Sequence, residues 1–270
     1  MTELQQVEFD LFRIFAETCE KLNLNYFLVC GSALGAKRHG GFIPWDDDLD
    51  VGMYREDYNK FIELAPPLLP EGIFLQNYHS DPEYRNIFSK LRNSNTTYIE
   101  KTVQHLNINH GIYIDVFPLD GYPQSALEQK WLAFEMKYYV YALLSGFSKS
   151  TSLKGTLANL PFRMLGYPRR VKQTLMKYES VISKYPIKDT KLVCNHGTWY
   201  GKRNYIPKEF YGKGSVISFE GYPAKVPEDI ENYLKTLFGD WQTPPPPEKQ
   251  RGHHFYEICD TKKPYTEYLN

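Results

Sequence analysis

Cys30-Gly31-Ser32-Ala33-Leu34-Gly35-Ala36-Lys37-Arg38-His39-Gly40-Gly41-Phe42-Ile43-Pro44-Trp45-Asp46-Asp47-Asp48-Leu49-Asp50-Val51-Gly52-Met53 brings a glycine-rich turn and four aspartates together in one stretch. Side chains of an extended chain point to opposite faces in turn. The Asp48-Leu49-Asp50-Val51 alternation therefore predicts both carboxylates on one side, with Leu49 and Val51 in the core. Like charges held that close are costly unless a cation neutralises them, and a hard, oxygen-liganded ion such as Mg2+ answers that need. A solvated acidic loop would not require the apolar Ile43, Pro44, Leu49 and Val51 around it. An EF-hand loop would fit Asp46, Asp48 and Asp50, but it needs glycine where Val51 stands and glutamate where Asp57 stands.

Upstream, Thr2 and Gln5 read as a capping box, and Leu4, Val7, Leu11, Ile14 and Phe15 recur at helical spacing. Tyr26 to Cys30 reads as a buried strand that ends at Gly31-Ser32 and delivers a short helix, Ala33 to Arg38. A helix N-terminus entered this way favours phosphate oxygens, although Gly-Ser is also an ordinary turn. Downstream, a helix over Tyr54 to Leu64 and strands near Ile73 to Tyr78 and Tyr84 to Arg92 follow. The last of these carries Lys90 and Arg92 on one face, where two cations can bind phosphate or face solvent. Ile112-Tyr113-Ile114-Asp115-Val116-Phe117-Pro118 is a β-branched strand with one carboxylate in its middle, and a buried aspartate requires a partner. Beside the Asp48/Asp50 strand, Asp115 would share their cation. Pro118 is expected to stop the pairing.

A long helix is expected from Gln124 to Phe147, then a basic segment from Lys149 to Lys184, in which Glu179 is the one acid. Such a segment can lie on an anionic bilayer or cover a sheet with a solvated face. A helix is expected near Pro227 to Phe238, and the prolines Pro244 to Pro247 lead stiffly to Arg251, His253 and His254, which can reach a phosphate or sit on the surface.

The 270 residues carry 32 basic and 32 acidic side chains, so no net field argues for nucleic acid. Four scattered cysteines form no zinc pattern, and reduced thiols in a cytosolic compartment fit them. No secretory signal or uninterrupted apolar run is visible.

Gly31-Ser32, the Gly41-to-Met53 string with its Pro44-Trp45-Asp46-Asp47-Asp48, and Gly111 to Gly121 with its Ile114-Asp115-Val116-Phe117-Pro118 resemble, in that order, the LicD family of phosphocholine transferases related to fukutin-like proteins. That resemblance implies an α+β fold: a nucleotidyltransferase-like mixed sheet flanked by helices, with a helical insertion and a C-terminal extension. The division expected is a catalytic core over 1–122, a basic helical insertion over 123–190 and a C-terminal part over 191–270 that completes the same site. By position it implies Asp48, Asp50 and Asp115 as catalytic and metal-binding, with Mg2+ or alternatively Mn2+. Gly31, Ser32, Lys37, Arg38, His39, Lys90, Arg92, Arg251, His253 and His254 would bind substrate. The partners implied are a CDP-alcohol donor, CDP-choline foremost, and a lipid-linked glycan acceptor. Peripheral contact of 149–184 with the inner face of the plasma membrane is expected. Two alternatives stay open: a nucleotidyltransferase moving NMP from NTP, and a noncatalytic metal-dependent glycan-binding module stacking sugars on Trp45, Trp199 and Trp241.

Overall fold

The computed structural model describes residues 1–145, 160–167, 170–198, 200–252 and 254–269. Thr2 and Gln5 form the capping box that starts helix α1 (Glu3–Lys21), whose buried face carries Leu11, Phe12, Phe15 and Cys19. Its rings meet the body of the protein edge-on, Phe15 lying 5.2 Å from Tyr26 and 5.0 Å from Phe61.

The central sheet is built from β1 (Phe27–Leu28), β2 (Asp50–Tyr54), β3 (Ile73–Gln76), β4 (Ser89–Asn93) and β6 (Ile112–Tyr122), in the order β1-β2-β6-β4-β3. Strand β7 (Leu192–Cys194) joins the far end of β6 and is itself paired with β8 (Tyr205–Pro207). Among the described residues only β2 and β6 run parallel; the other pairs are antiparallel, so the sheet is mixed. Every residue of β6 is buried, because helices and loops cover both of its faces. Helices α2 (Cys30–His39) and α3 (Arg55–Leu64) flank β2 in sequence, and β5 (Thr97–Glu100) pairs with β11 (Tyr256–Asp260). Strands β9 (Ser215–Phe219) and β10 (Tyr222–Val226) form a hairpin, followed by a helix over Ile230–Phe238.

Pro118 does not end its strand. The Asp115 amide donates to the Leu49 carbonyl, so alternate amides of β6 face β2 and the position of the missing Pro118 N–H faces the other edge. There β4 stops at Val116 and β7 begins at Asp120, so no ladder bond is lost. Gly31 and Ser32 also differ from expectation: they lie in the first turn of α2, which starts at Cys30. Cys30 takes φ +52°, a conformation few side chains adopt, and its amide donates to the Tyr233 hydroxyl at 3.0 Å. This sharp corner replaces the expected turn.

Helix α4 (Ala126–Leu144) and the helix Val171–Ile182 pack together through Met136, Tyr139, Val140, Leu143, Leu175, Tyr178 and Ile182, over Tyr78 and Ile87. The helix Val171–Ile182 of the basic segment thus covers the body of the protein. The rest of it, with Lys149, Lys154 and Arg169, lies outside the described residues.

Candidate active site

Three adjacent strands set the site. Asp50 of β2 stands opposite Asp115 of β6, and Asp115 stands opposite Lys90 of β4, so the side chains form one row across the sheet. The Lys90 ammonium lies 3.0 Å from Asp115 Oδ1 and 3.1 Å from the centre of the Tyr113 ring. Strand pairing begins at Asp50, so Asp48 sits just outside it, yet Leu49 and Val51 are fully buried and Asp48 and Asp50 open into the same cavities.

The acidic loop is held from three sides. Gln5 donates to the carbonyls of Ile43 at 3.2 Å and Asp46 at 2.9 Å, beyond its role in the cap. Ser32 Oγ accepts the Asp50 amide at 2.7 Å; this hydroxyl, expected on substrate, positions an acid. The third hold is close packing: a Cβ on Gly35 would lie 2.5 Å from the Gly41 carbonyl oxygen. Gly35→Ala is therefore expected to cost about 1–3 kcal/mol, because the obstacle is backbone that must move as a unit. A lowered melting temperature together with weakened divalent-ion binding checks this, and an unchanged melting temperature refutes it.

The C-terminal segment arrives because β11 pairs with β5, bringing His254 to residues about two hundred positions earlier. Its Nδ1 lies 3.2 Å from Asp47 Oδ1 and 4.0 Å from Asp48 Oδ2, and its amide donates to Asp47 at 3.1 Å. A Cβ on Gly252 would come within 2.3 Å of the Asp47 carboxylate, so a larger residue there would displace Asp47 from His254. Asp47, Asp48 and His254 place three ligand atoms within 4.8 Å of one another, a tighter grouping than the three acids singled out in the sequence.

Burial pushes the Asp46 carboxyl up to about 8, with Asp48 and Asp47 adding to it. Burial likewise raises Asp50, reinforced by Asp48 and Asp115, and raises Asp48 against the opposing pull of His254. Burial alone would lower His254; its hydrogen bond to Asp47, together with the charges of Asp48 and Asp115, overcomes that and lifts it to about 9. Below the loop, Glu8 of α1 is also buried, and burial followed by the four aspartates raises it. A carboxylate cluster whose members raise one another's proton affinity fits a hard divalent cation.

Two cavities meet at this cluster, sharing Asp48, Asp50 and Tyr200. One, of about 480 Å3, is lined by Asn86, Lys90, Asp115, Arg203 and His254 among others. The other, of about 430 Å3, is lined by Trp45, Phe238 and Trp241 with Asp46, Asp240 and Arg38.

The remaining candidates separate. Arg92 is 1 % exposed, donates at 2.6 Å to both Gln76 and the Gly111 carbonyl, and lies 3.9 Å from Glu100; its alternation with Lys90 gave no sign that these partners would claim it. Lys37 turns to Glu231 at 2.9 Å. Arg38 lines the aromatic cavity while donating to the Trp241 carbonyl at 2.8 Å and to His39 at 3.0 Å. Gly31 lines that cavity, and a Cβ there would meet Asp46 at 2.9 Å. Arg251 is exposed, and His253 and Trp199 lie outside the described residues. Glu8, Tyr200 and Arg203 carry no sign of the site in the sequence, since they reach it through tertiary packing without a local motif, whereas Trp241, expected only as a sugar platform, walls a cavity beside the acids.

Residues 23–143 match the nucleotidyltransferase domain of LicD, FKTN and FKRP. The chain is 25% identical over 267 residues to the lipopolysaccharide cholinephosphotransferase LicD of Haemophilus influenzae, covering 95% of this chain and 97% of that protein. It is 55% identical over 115 residues to the human ribitol 5-phosphate transferase FKRP, 42% of this chain and 20% of that one. It is 36% identical over 56 residues to the human ribitol-5-phosphate transferase FKTN, 21% of this chain and 12% of that one.

Proposed function

We propose, from the match of residues 23–143 to the LicD/FKTN/FKRP nucleotidyltransferase domain, that this chain is a phosphotransferase moving a phospho-alcohol, phosphocholine foremost, from a CDP-alcohol to a glycan hydroxyl. The observation that carries the reading is the pair of unlike cavities meeting at Asp48 and Asp50. Lys90, Arg203 and His254 suit the phosphates and the nucleotide side. Trp45, Tyr200, Phe238 and Trp241 with Asp240 suit a quaternary ammonium, which aromatic faces and a nearby carboxylate attract. Ribitol, with hydroxyls and no charge, would gain little there.

Asp48, Asp50 and Asp115 would hold Mg2+, which when bound offsets charge on the phosphates. The acceptor hydroxyl oxygen attacks the phosphorus bearing the alcohol, one P–O bond forming as the bridging P–O bond breaks. CMP leaves with the bridging oxygen, and Asp115, which Lys90 holds in position, takes the hydroxyl proton where it is not occupied as the third metal ligand. The buried walls of β2 and β6 keep the row of charged groups fixed, so little reorganisation accompanies the reaction.

The test offers purified protein CDP-choline, CDP-ethanolamine, CDP-glycerol and CDP-ribitol with Mg2+ and reads CMP release. CDP-choline is expected to be preferred. Trp241→Leu should raise KM for CDP-choline about tenfold, with kcat little changed, because a desolvated cation–π contact is worth roughly 1–2 kcal/mol. Equal use of all four donors would overturn the choline assignment. Pyrophosphate released from an NTP, with no CMP from any CDP-alcohol, would overturn the reaction class in favour of nucleotidyl transfer.

A further inference from the structure

Helix α4 is apolar on two opposite faces. One packs inward through Leu132, Met136, Tyr139, Val140 and Leu143. The other carries Leu127, Trp131, Phe134, Tyr138 and Tyr141, within about 80° of arc at roughly 100° per residue. Leu127 is 77 % exposed, Trp131 56 % and Phe134 62 %, so these members of the second stripe face outward uncovered. Residues 160–167 extend it: Phe162 and Tyr167 pack on Tyr138, Arg163 donates to the Ser145 carbonyl at 3.2 Å, and Met164 and Leu165 are 81 % and 60 % exposed.

We propose that this face is a docking surface for an anionic lipid bilayer, entered by Leu127, Trp131, Phe134, Met164 and Leu165. Charge complementarity selects that occupant. The chain as a whole has no net charge, yet exposed Lys130 and Lys137 flank the stripe at the same 100° per residue, and exposed Arg163 stands beside Met164 and Leu165. Against them stand Glu128 and Glu135 of α4, while Glu179 turns inward to Arg55. A second copy of the same face would set these cations against one another. The aromatic residues suit the headgroup boundary, since Trp and Tyr present an apolar body with a polar tip, and lysines can extend past them to phosphates. The Lys137 ammonium already lies 5.9 Å from the Tyr141 ring. Among the described residues no helix is long and apolar enough to cross a membrane, so contact along a helix side is the available mode. The inference goes beyond the proposed reaction and needs no assumption about the donor.

Co-sedimentation of the full chain with phosphatidylcholine vesicles, and with vesicles of phosphatidylcholine and phosphatidylglycerol in equal parts, tests it in the absence of any substrate. Binding is expected to the mixed vesicles and at least tenfold weaker to the neutral ones. The double variant Trp131→Ser with Phe134→Ser should lose at least tenfold in binding to the mixed vesicles, with its melting temperature unchanged because both side chains are exposed. Lys130→Gln with Lys137→Gln should lose affinity at low salt and differ little from the unaltered chain at high salt, where the attraction is screened. No vesicle binding by the unaltered chain, or equal binding by the Trp131/Phe134 variant, would overturn the proposal. So would a dimer in solution that this variant dissolves, because the stripe would then belong to a second copy.

Discussion

Asp50→Asn is expected to reduce CMP release by about a thousandfold or more while the protein stays folded. Asp50 is 9 % exposed, stands opposite Asp115, and has its own amide held by Ser32. Asparagine keeps the shape, and the backbone bond does not depend on the side chain. What changes is charge: the carboxylate is raised by burial and by Asp48 and Asp115, so a neutral amide relieves repulsion in the metal-free protein. The melting temperature should therefore hold or rise slightly. In the proposed reaction the same change would remove an anionic ligand from Mg2+, and a metal's stabilisation of phosphoryl transfer amounts to several kcal/mol, about 1.4 kcal/mol per factor of ten. Two measurements separate the effects: turnover, and the rise in melting temperature on adding Mg2+, which ligand binding to the folded state produces in the unaltered chain and which should vanish in the variant. Asp48→Asn should behave alike. Near-normal turnover in either would remove the metal assignment.

The second large effect concerns stability. Arg55, at the start of α3, donates to both carboxylate oxygens of Asp120 at 2.7 Å and also pairs with Glu179, which accepts the Tyr78 hydroxyl. Burial works against the charged guanidinium, and Asp120 followed by Glu179 more than reverses this, so its proton is held above the ordinary arginine range. The network ties α3 and the end of β6 to the helix Val171–Ile182. Arg55→Met should cost about 3–5 kcal/mol, since the side chain of Asp120 is 1 % exposed and would be left as an unpaired buried charge. Urea unfolding reads this as a lower midpoint with an unchanged slope. Replacing all three charged groups, as Arg55→Met with Asp120→Leu and Glu179→Leu, should recover most of the loss, because no buried charge then remains. A single variant as stable as the parent would show that water reaches these acids freely.

How far the chain could be read without its fold follows the range of each interaction. The α1 capping box and its stripe of buried residues are settled within a few positions, as is the in-and-out alternation that buries Leu49 and Val51 beside Asp50. The β-branched run around Asp115 announced a buried strand, and β6 runs beside β2. The same local rules misplaced the end of β6, because a proline's effect depends on which edge its missing N–H faces. They also treated Lys90 and Arg92 alike. Register puts Lys90 opposite Asp115, whereas Gln76 and Gly111, on other strands and turns, occupy Arg92.

The sequence by itself determined the helix and strand periods, the acid-rich loop and the two strands that carry Asp50 and Asp115, because each depends on neighbours within one or two turns of chain. Tertiary structure alone decided that His254 meets Asp47, that Lys37 pairs with Glu231, that Trp45 and Trp241 wall one cavity, and that α4 keeps a second apolar face outside. Those outcomes join segments up to about two hundred residues apart, and the burial and charge that give each side chain its role exist only once the intervening chain has packed.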